Sequence, residues 1–287
     1  MSERLAADTS MGAVTLVVAD LDLMTRYYSD GVGLAVLDES VGRVVLGRDG
    51  VAVIVLQHSP GLRHTSPGEA GLYHTAIVFE NQAALAASVY SVARAFGRFT
   101  GSSDHLVSQA FYFDDPEGNG VELYWDRDRS AWSWVHGQVE MGVMRLDPNA
   151  FLSEHLTEEG AMGPVSGGER VGHVHLSVGD VATAREFYVN RLGFEQTLDY
   201  GESALFVSAG GYHHHMAMNV WNSQGAGRRQ PALGLGRIDI LVPGADDLGE
   251  LGERLRHYGH ELRDDGRSVE LDDPWANLLR ITTPQRG

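Results

Sequence analysis

The stretch GGYHHHMAMNVW, residues 210–221, sets His213, His214 and His215 side by side between a glycine pair and an apolar run. Imidazole side chains ligate metals, carry protons near neutral pH, or simply hydrogen-bond on a strand. The chain has 13 histidines and no cysteine. Thiolate metal sites, disulfides and cysteine nucleophiles are therefore excluded, and any metal must sit on His, Asp or Glu.

The rest of the composition narrows the setting. With 287 residues the chain is long enough for two ordinary domains with their own cores. Its 22 basic and 39 acidic residues give a net charge of −17, a surface that repels nucleic acid and anionic membranes. No apolar run approaches the ~18–20 residues of a membrane span. The opening MSERLAADTSMG lacks the basic-then-apolar order of a signal peptide. A cytoplasmic protein without nucleic-acid or membrane partners is expected.

The elements that must hold these histidines come from a duplication. GAVTLVVADLDLMTRYYSDGVGLAVL, from Gly12, aligns without a gap on GHVHLSVGDVATAREFYVNRLGFEQTL, from Gly172, at an offset of 160 residues (172 − 12). Gly12, Val14, Leu16, Val18, Asp20, Tyr28 and Gly33 meet Gly172, Val174, Leu176, Val178, Asp180, Tyr188 and Gly193. Each copy reads as an alternating strand (13–18; 173–178), an Asp at a helix N-cap, an amphipathic helix ending near Gly33 or Gly193, and short strands. A weaker unit follows in each half. It has a strand at 73–79 or 236–242, a helix at about 81–96 or 246–258, and a closing hairpin with an Asp-Pro turn at 114–125 or 272–281. The expected fold is α+β, with four tandem βαβββ units in two cup-shaped mixed sheets. The units divide into an N-terminal half (1–130), a linker (131–168) and a C-terminal half (169–287).

This pattern resembles the vicinal oxygen chelate superfamily, which includes glyoxalases, bleomycin-resistance proteins and extradiol dioxygenases. The resemblance runs from Gly12 to about Thr283. LYHTA, SDHLVS, GHVHL and GGYHHH together are similar to its four-unit catechol 2,3-dioxygenase-like branch. The resemblance implies metal ligands from a His on the first strand of each paired unit and a Glu on the last strand of one of them. The first-strand positions are Ala13, His74, His173 and Arg237, and the last-strand positions of units two and four are Glu122 and Arg280. Units one and two together supply only His74 and Glu122. Units three and four supply His173 with two arginines, which would repel a cation. Units two and three supply His74, Glu122 and His173, the two-His-one-carboxylate set of non-haem Fe(II) oxygenases. The expectation is one Fe(II), or Mn(II) in its place, between the middle units. Units one and four then form a metal-free cup used for packing or homodimerisation.

At the offset of 160, the histidine run falls on Val53, Ile54 and Val55, the last strand of unit one. The run is therefore expected to be the last strand of unit three, lining the cup, so that His213, His215, Asn219 and Trp221 share a face, and His214, Met216 and Met218 share the other. The polar set suits the cup. The resemblance implies a proton-carrying His on this strand beside the metal, so His213 or His215 is the expected carrier and His214 is expected to face the helices. It also implies an active-site tyrosine ten residues before the ligating Glu, here Tyr112, and a His one short strand earlier, here His105.

The implied activity is extradiol ring cleavage of a catechol- or hydroquinone-type aromatic with O2. Two readings stay open beside it. A glyoxalase-type lyase or isomerase would need a second ligating carboxylate. A protein that sequesters aromatic compounds would need no proton carrier.

Overall fold

The computed structural model describes residues 3–284. Unit one runs β1 (Ser10–Val18), α1 (Leu21–Arg26), β2 (Ala35–Ser40), β3 (Arg43–Arg48) and β4 (Val51–His58). Unit two follows as β5 (Gly71–Phe79), α2 (Gln82–Ala95), β6 (Phe99–Asp104), β7 (Ser108–Asp114) and β8 (Gly120–Asp126). Short strands β9 (Trp134–Val135), β10 (Gln138–Val139) and β11 (Met144–Arg145) and helices α3 (Pro148–His155) and α4 (Glu158–Met162) lead to the third unit. That unit is β12 (Arg170–Ser177), α5 (Val181–Arg185), β13 (Glu195–Asp199), β14 (Ala204–Ser208) and β15 (Met216–Asn219). Unit four closes the chain with β16 (Gly234–Leu241), α6 (Ala245–His257), β17 (Arg263–Asp264), β18 (Ser268–Asp272) and β19 (Leu278–Thr282).

The helix starts follow from their caps. Asp20 accepts from Leu23 N at 2.9 Å and Asp180 from Thr183 N at 2.6 Å, each satisfying a backbone donor that has no partner within its helix. Both α1 and α5 then widen into a π turn, Tyr27–Gly31 and Glu186–Arg191, which buries Tyr27, Tyr28, Phe187 and Tyr188. α6 carries Asp246 and Asp247 in its first turn and Arg254, Arg256 and His257 in its last, charges that suit the helix dipole.

The four units pair out of sequence. One sheet has the order β11-β6-β7-β8-β5-β12-β15-β14-β13 and so joins units two and three; the other, β17-β18-β19-β16-β1-β4-β3-β2, joins units four and one. The joints are antiparallel, β5 on β12 and β1 on β16. The expected α+β architecture of four units in two mixed sheets is present. A contiguous core links both sheets to their helices through Val14, Met24, Leu85, Leu176, Phe187 and Leu248.

Buried polar bonds tie consecutive units together across the two sheets. Tyr28 Oη donates to Asp115 Oδ2 at 3.1 Å, and Tyr188 Oη to Asp273 Oδ2 at 2.9 Å. Each aspartate begins the Asp-Pro turn of the following unit, where Asn119 or Asn277 also donates to it. The tyrosines hold equivalent positions in the duplication, so this link was inherited with it.

In the cup of units one and four, Ala13 and Arg237 occupy the positions equivalent to His173 and His74. Asp239, 4% exposed, draws in Arg237 Nε at 2.8 Å and Arg280 Nε at 3.1 Å. A partly exposed ion-pair cluster around the buried Asp239 fills the place where the other sheet brings His and Glu together.

Candidate metal centre

His74 lies on β5, Glu122 on β8 and His173 on β12, three neighbouring strands of one sheet. All three side chains are buried, and one ligand atom from each lies within 4.8 Å of the others. His173 Nε2 is 3.1 Å from Glu122 Oε2. His74 Nε2 comes within 3.0 Å of the same oxygen, but not along a hydrogen-bonding direction, and is otherwise a buried nitrogen without a partner. Burial alone would raise the Glu122 carboxyl, but His173 and His74 hold it well below the usual carboxylate range. Burial pushes His173 down to about 4 against the pull of Glu122, so its ring is neutral at physiological pH. His173 Nε2, whose proton the ionised Glu122 accepts, the carboxylate itself and the orphaned His74 nitrogen converge on one point, and a bound cation would take the place of that proton. That donor set fits a divalent cation.

The centre opens into a cavity of about 620 Å³, a volume suited to a small organic molecule. Tyr73, Phe206 and Trp221 form aromatic walls, with Tyr73 and Trp221 edge to face at 5.4 Å. Tyr73 precedes His74, so simple alternation would turn it to the other face. It is instead the extra residue of a β-bulge, because His175 pairs with His74 while Leu176 pairs with Leu72. A bulge re-aims a side chain by bending and twisting the strand locally. Gly172 is needed at a second irregularity of this joint, since a Cβ there would fall 1.7 Å from Tyr124 Oη.

Tyr112 and His105 both line the cavity. His105 Nδ1 is 2.7 Å from the Gly142 carbonyl, to which it can only donate, so Nε2 of the neutral ring accepts the Tyr112 hydroxyl at 2.6 Å. Burial, followed by the charge of Glu122, raises the Tyr112 pKa well above its ordinary value and keeps the phenol protonated.

The histidine run departs from the expected alternation. β15 begins only at Met216, and the backbone bonds to its neighbours start at His215, so His213 and His214 lie in the bend that leads into it and need not alternate. His214, expected to face the helices, lines the cavity with its ring 4.0 Å from that of His173. His213 sits behind it, 2.7 Å away between Nδ1 atoms. His215 turns to Ser208 Oγ at 2.9 Å and does not line the cavity. Within the strand proper the expected parity holds: Met216 and Met218 join the main core, and Asn219 reaches His175 on the cavity side.

His175 is a cavity residue that the motif reading missed. It follows His173 by two, so strand alternation puts it on the same face, and its ring stands 4.9 Å from that of His74. Asn219 Oδ1 accepts from Trp221 N, so its Nδ2 donates to His175 Nε2 at 3.0 Å.

Known proteins share both the sequence pattern and the fold. The family model of the Glyoxalase/Bleomycin resistance protein/Dioxygenase superfamily matches residues 10–123 and 170–276. The catechol-2,3-dioxygenase of Bacillus subtilis strain 168 is 34% identical over 276 residues, covering 93% of this chain and 94% of that protein. A solved Bacillus subtilis strain 168 structure has a TM-score of 0.67 at 15% identity, covering 100% of this chain and 87% of that one. Maize glyoxalase I has a TM-score of 0.58 at 14% identity over 96% of this chain and 92% of its own. With its duplicated units, its paired sheets and this match over most of its length, the chain belongs to the glyoxalase/bleomycin resistance protein/dioxygenase superfamily.

Proposed function

We propose that the protein is an extradiol ring-cleaving dioxygenase acting on a small catechol- or hydroquinone-type aromatic with O2. The observation that carries this reading is the convergence of His74, Glu122 and His173 at the floor of a cavity that holds separate proton-handling groups, His214 and Tyr112. The 34% identity to a catechol-2,3-dioxygenase supports the same choice.

His74, Glu122 and His173 would hold Fe(II), or Mn(II) in its place. When bound, the ion would supply Lewis acidity and a redox path between a chelated diol and O2. The chain does the rest. Tyr73, Phe206 and Trp221 offer apolar aromatic walls against which a substrate ring can pack. The Tyr112 hydroxyl donates to His105, so its oxygen is placed to accept a hydrogen bond from a substrate hydroxyl. Burial, and then neighbouring imidazoles, hold His214 well below its ordinary pKa. Its ring is therefore neutral and has one nitrogen lone pair with which to accept a proton from the diol.

A glyoxalase-type lyase is the second reading. Among the described residues the ligand cluster contains one carboxylate, Glu122, which favours the dioxygenase. Anaerobic purification with metal analysis, followed by oxygen uptake across a panel of small catechols and hydroquinones, tests the proposal. Ring-cleavage product with stoichiometric O2 consumption is expected. Metal-loaded protein that consumes no O2 with any diol but isomerises a thiol adduct would replace it with the lyase.

A further inference from the structure

Behind His214 runs a chain of hydrogen bonds, buried at the histidines and half-buried at its end, that terminates on a carboxylate. His214 Nδ1 meets His213 Nδ1 at 2.7 Å. His213 Nε2 meets Asp126 Oδ1 at 2.9 Å, and Tyr212 Oη donates to Asp126 Oδ2 at 2.7 Å. Tyr124 Oη closes the network on Tyr212 Oη at 2.6 Å. The Tyr212 and Trp132 rings pack on the His213 ring at 4.1 and 5.2 Å, fixing its plane.

The proton directions in this chain follow from the Asp126 end when the His213 ring carries a single proton. An ionised carboxylate only accepts, so His213 must carry its proton on Nε2. With the ring neutral, His213 Nδ1 is then bare and can only accept. The 2.7 Å contact is a hydrogen bond only if His214 donates from Nδ1, which leaves His214 Nε2 bare. His214 Nε2 has no hydrogen-bond partner among the described residues, yet it is not sealed in as a buried unpartnered atom; it opens on the cavity that His214 lines.

We propose that Asp126 and His213 are positioning residues that lock His214 into the tautomer whose bare Nε2 faces the substrate cavity. The logic is that of a carboxylate–histidine pair in a hydrolase, in which a buried acid selects the useful tautomer of a base. Here a second imidazole stands between acid and base. A free imidazole would leave the choice of protonated nitrogen to chance and let the ring rotate. Orientation by two hydrogen bonds removes both freedoms before substrate arrives.

The inference rests on the proposed function for its catalytic consequence, but its structural core is testable without turnover. The protein is labelled with 15N at histidine and loaded with diamagnetic Zn(II), and the ring nitrogens are read by long-range proton–nitrogen correlation. His214→Gln and His213→Phe assign the signals. The expected native pattern is a proton on Nδ1 of His214 and on Nε2 of His213. In H213F the His214 proton should move toward Nε2. Metal content should be unchanged, KM close to native, and kcat lower by about 10²-fold. A native His214 protonated on Nε2, or a His213 protonated on both nitrogens, overturns the proposal even if H213F fails to fold. Native kcat in a folded H213F overturns it as well. The expected tautomers in a protein that cleaves no diol would sink the dioxygenase reading and leave the relay in place.

Discussion

Tyr28 of the first unit donates a hydrogen bond to Asp115 of the second, and both side chains are fully buried. Burial raises the Asp115 pKa from 3.8 to about 6, although Asn119, Tyr28 and Glu117 donate to it and pull the other way. The folded chain therefore holds this proton more tightly than the unfolded chain. Its contribution to stability is fully present below the unfolded value and is lost as pH rises through about 6. Asp115→Asn removes the titration. Between pH ~4 and ~7, wild type should lose about 2 kcal/mol relative to D115N in paired urea unfolding curves. A stability gap independent of pH would show that Asp115 is not strained by its burial.

Glu122→Ala removes the only carboxylate of the ligand cluster. Metal content measured after dialysis should fall to background, while far-ultraviolet circular dichroism stays native. Retention of a full equivalent of metal would remove Glu122 from the proposed ligand set.

His214 and His215 make a matched pair, one lining the cavity and the other bonded to Ser208 away from it. His214→Gln should lower kcat by about 10²–10⁴-fold with metal retained, the usual worth of a positioned acid–base group. His215→Gln should leave kcat within a few-fold of native. The reverse ranking would restore the simple strand alternation expected from the sequence.

Asp239 compensates two arginines in the other sheet. Asp239→Ala leaves them facing each other, and because both guanidinium groups are partly exposed the cost should be about 2 kcal/mol. Thermal unfolding should register the loss while metal content at His74 and His173 stays unchanged. A simultaneous loss of metal would mean that the two sheets are more tightly coupled than their separate ion clusters suggest.

Much of this organisation was legible in the chain because the duplication repeats its own punctuation. Asp20 and Asp180 announce the helix starts, and Gly12 and Gly172 mark the same strand position. The out-of-sequence pairing was also legible, since arginines at 237 and 280 leave His173 without partners in its own half. The facing of the histidine run was not. Alternation is a property of paired strand, and His213 and His214 precede the pairing, which His215 opens through Val207 and Val174, so backbone turns rather than period two set the directions of those two. Tyr73 was hidden for the opposite reason: it lies within a strand, but a bulge suspends the alternation at that residue. His175 needed no structure at all, only the same parity rule applied two residues beyond His173.

The crossed pairing of units also dictates an order of events during synthesis. β1 finds its antiparallel neighbour only when residues 234–241 have left the ribosome, and β5 waits for residues 170–177. Until then the nascent chain carries two long strands with open edges, the kind of surface that seeks pairing with other chains. Their closing contacts are distant in sequence, which slows folding. The cell must therefore shelter an unfinished first half, and a ribosome that stalls near residue 130 would release a fragment holding two of the proposed ligands and no site.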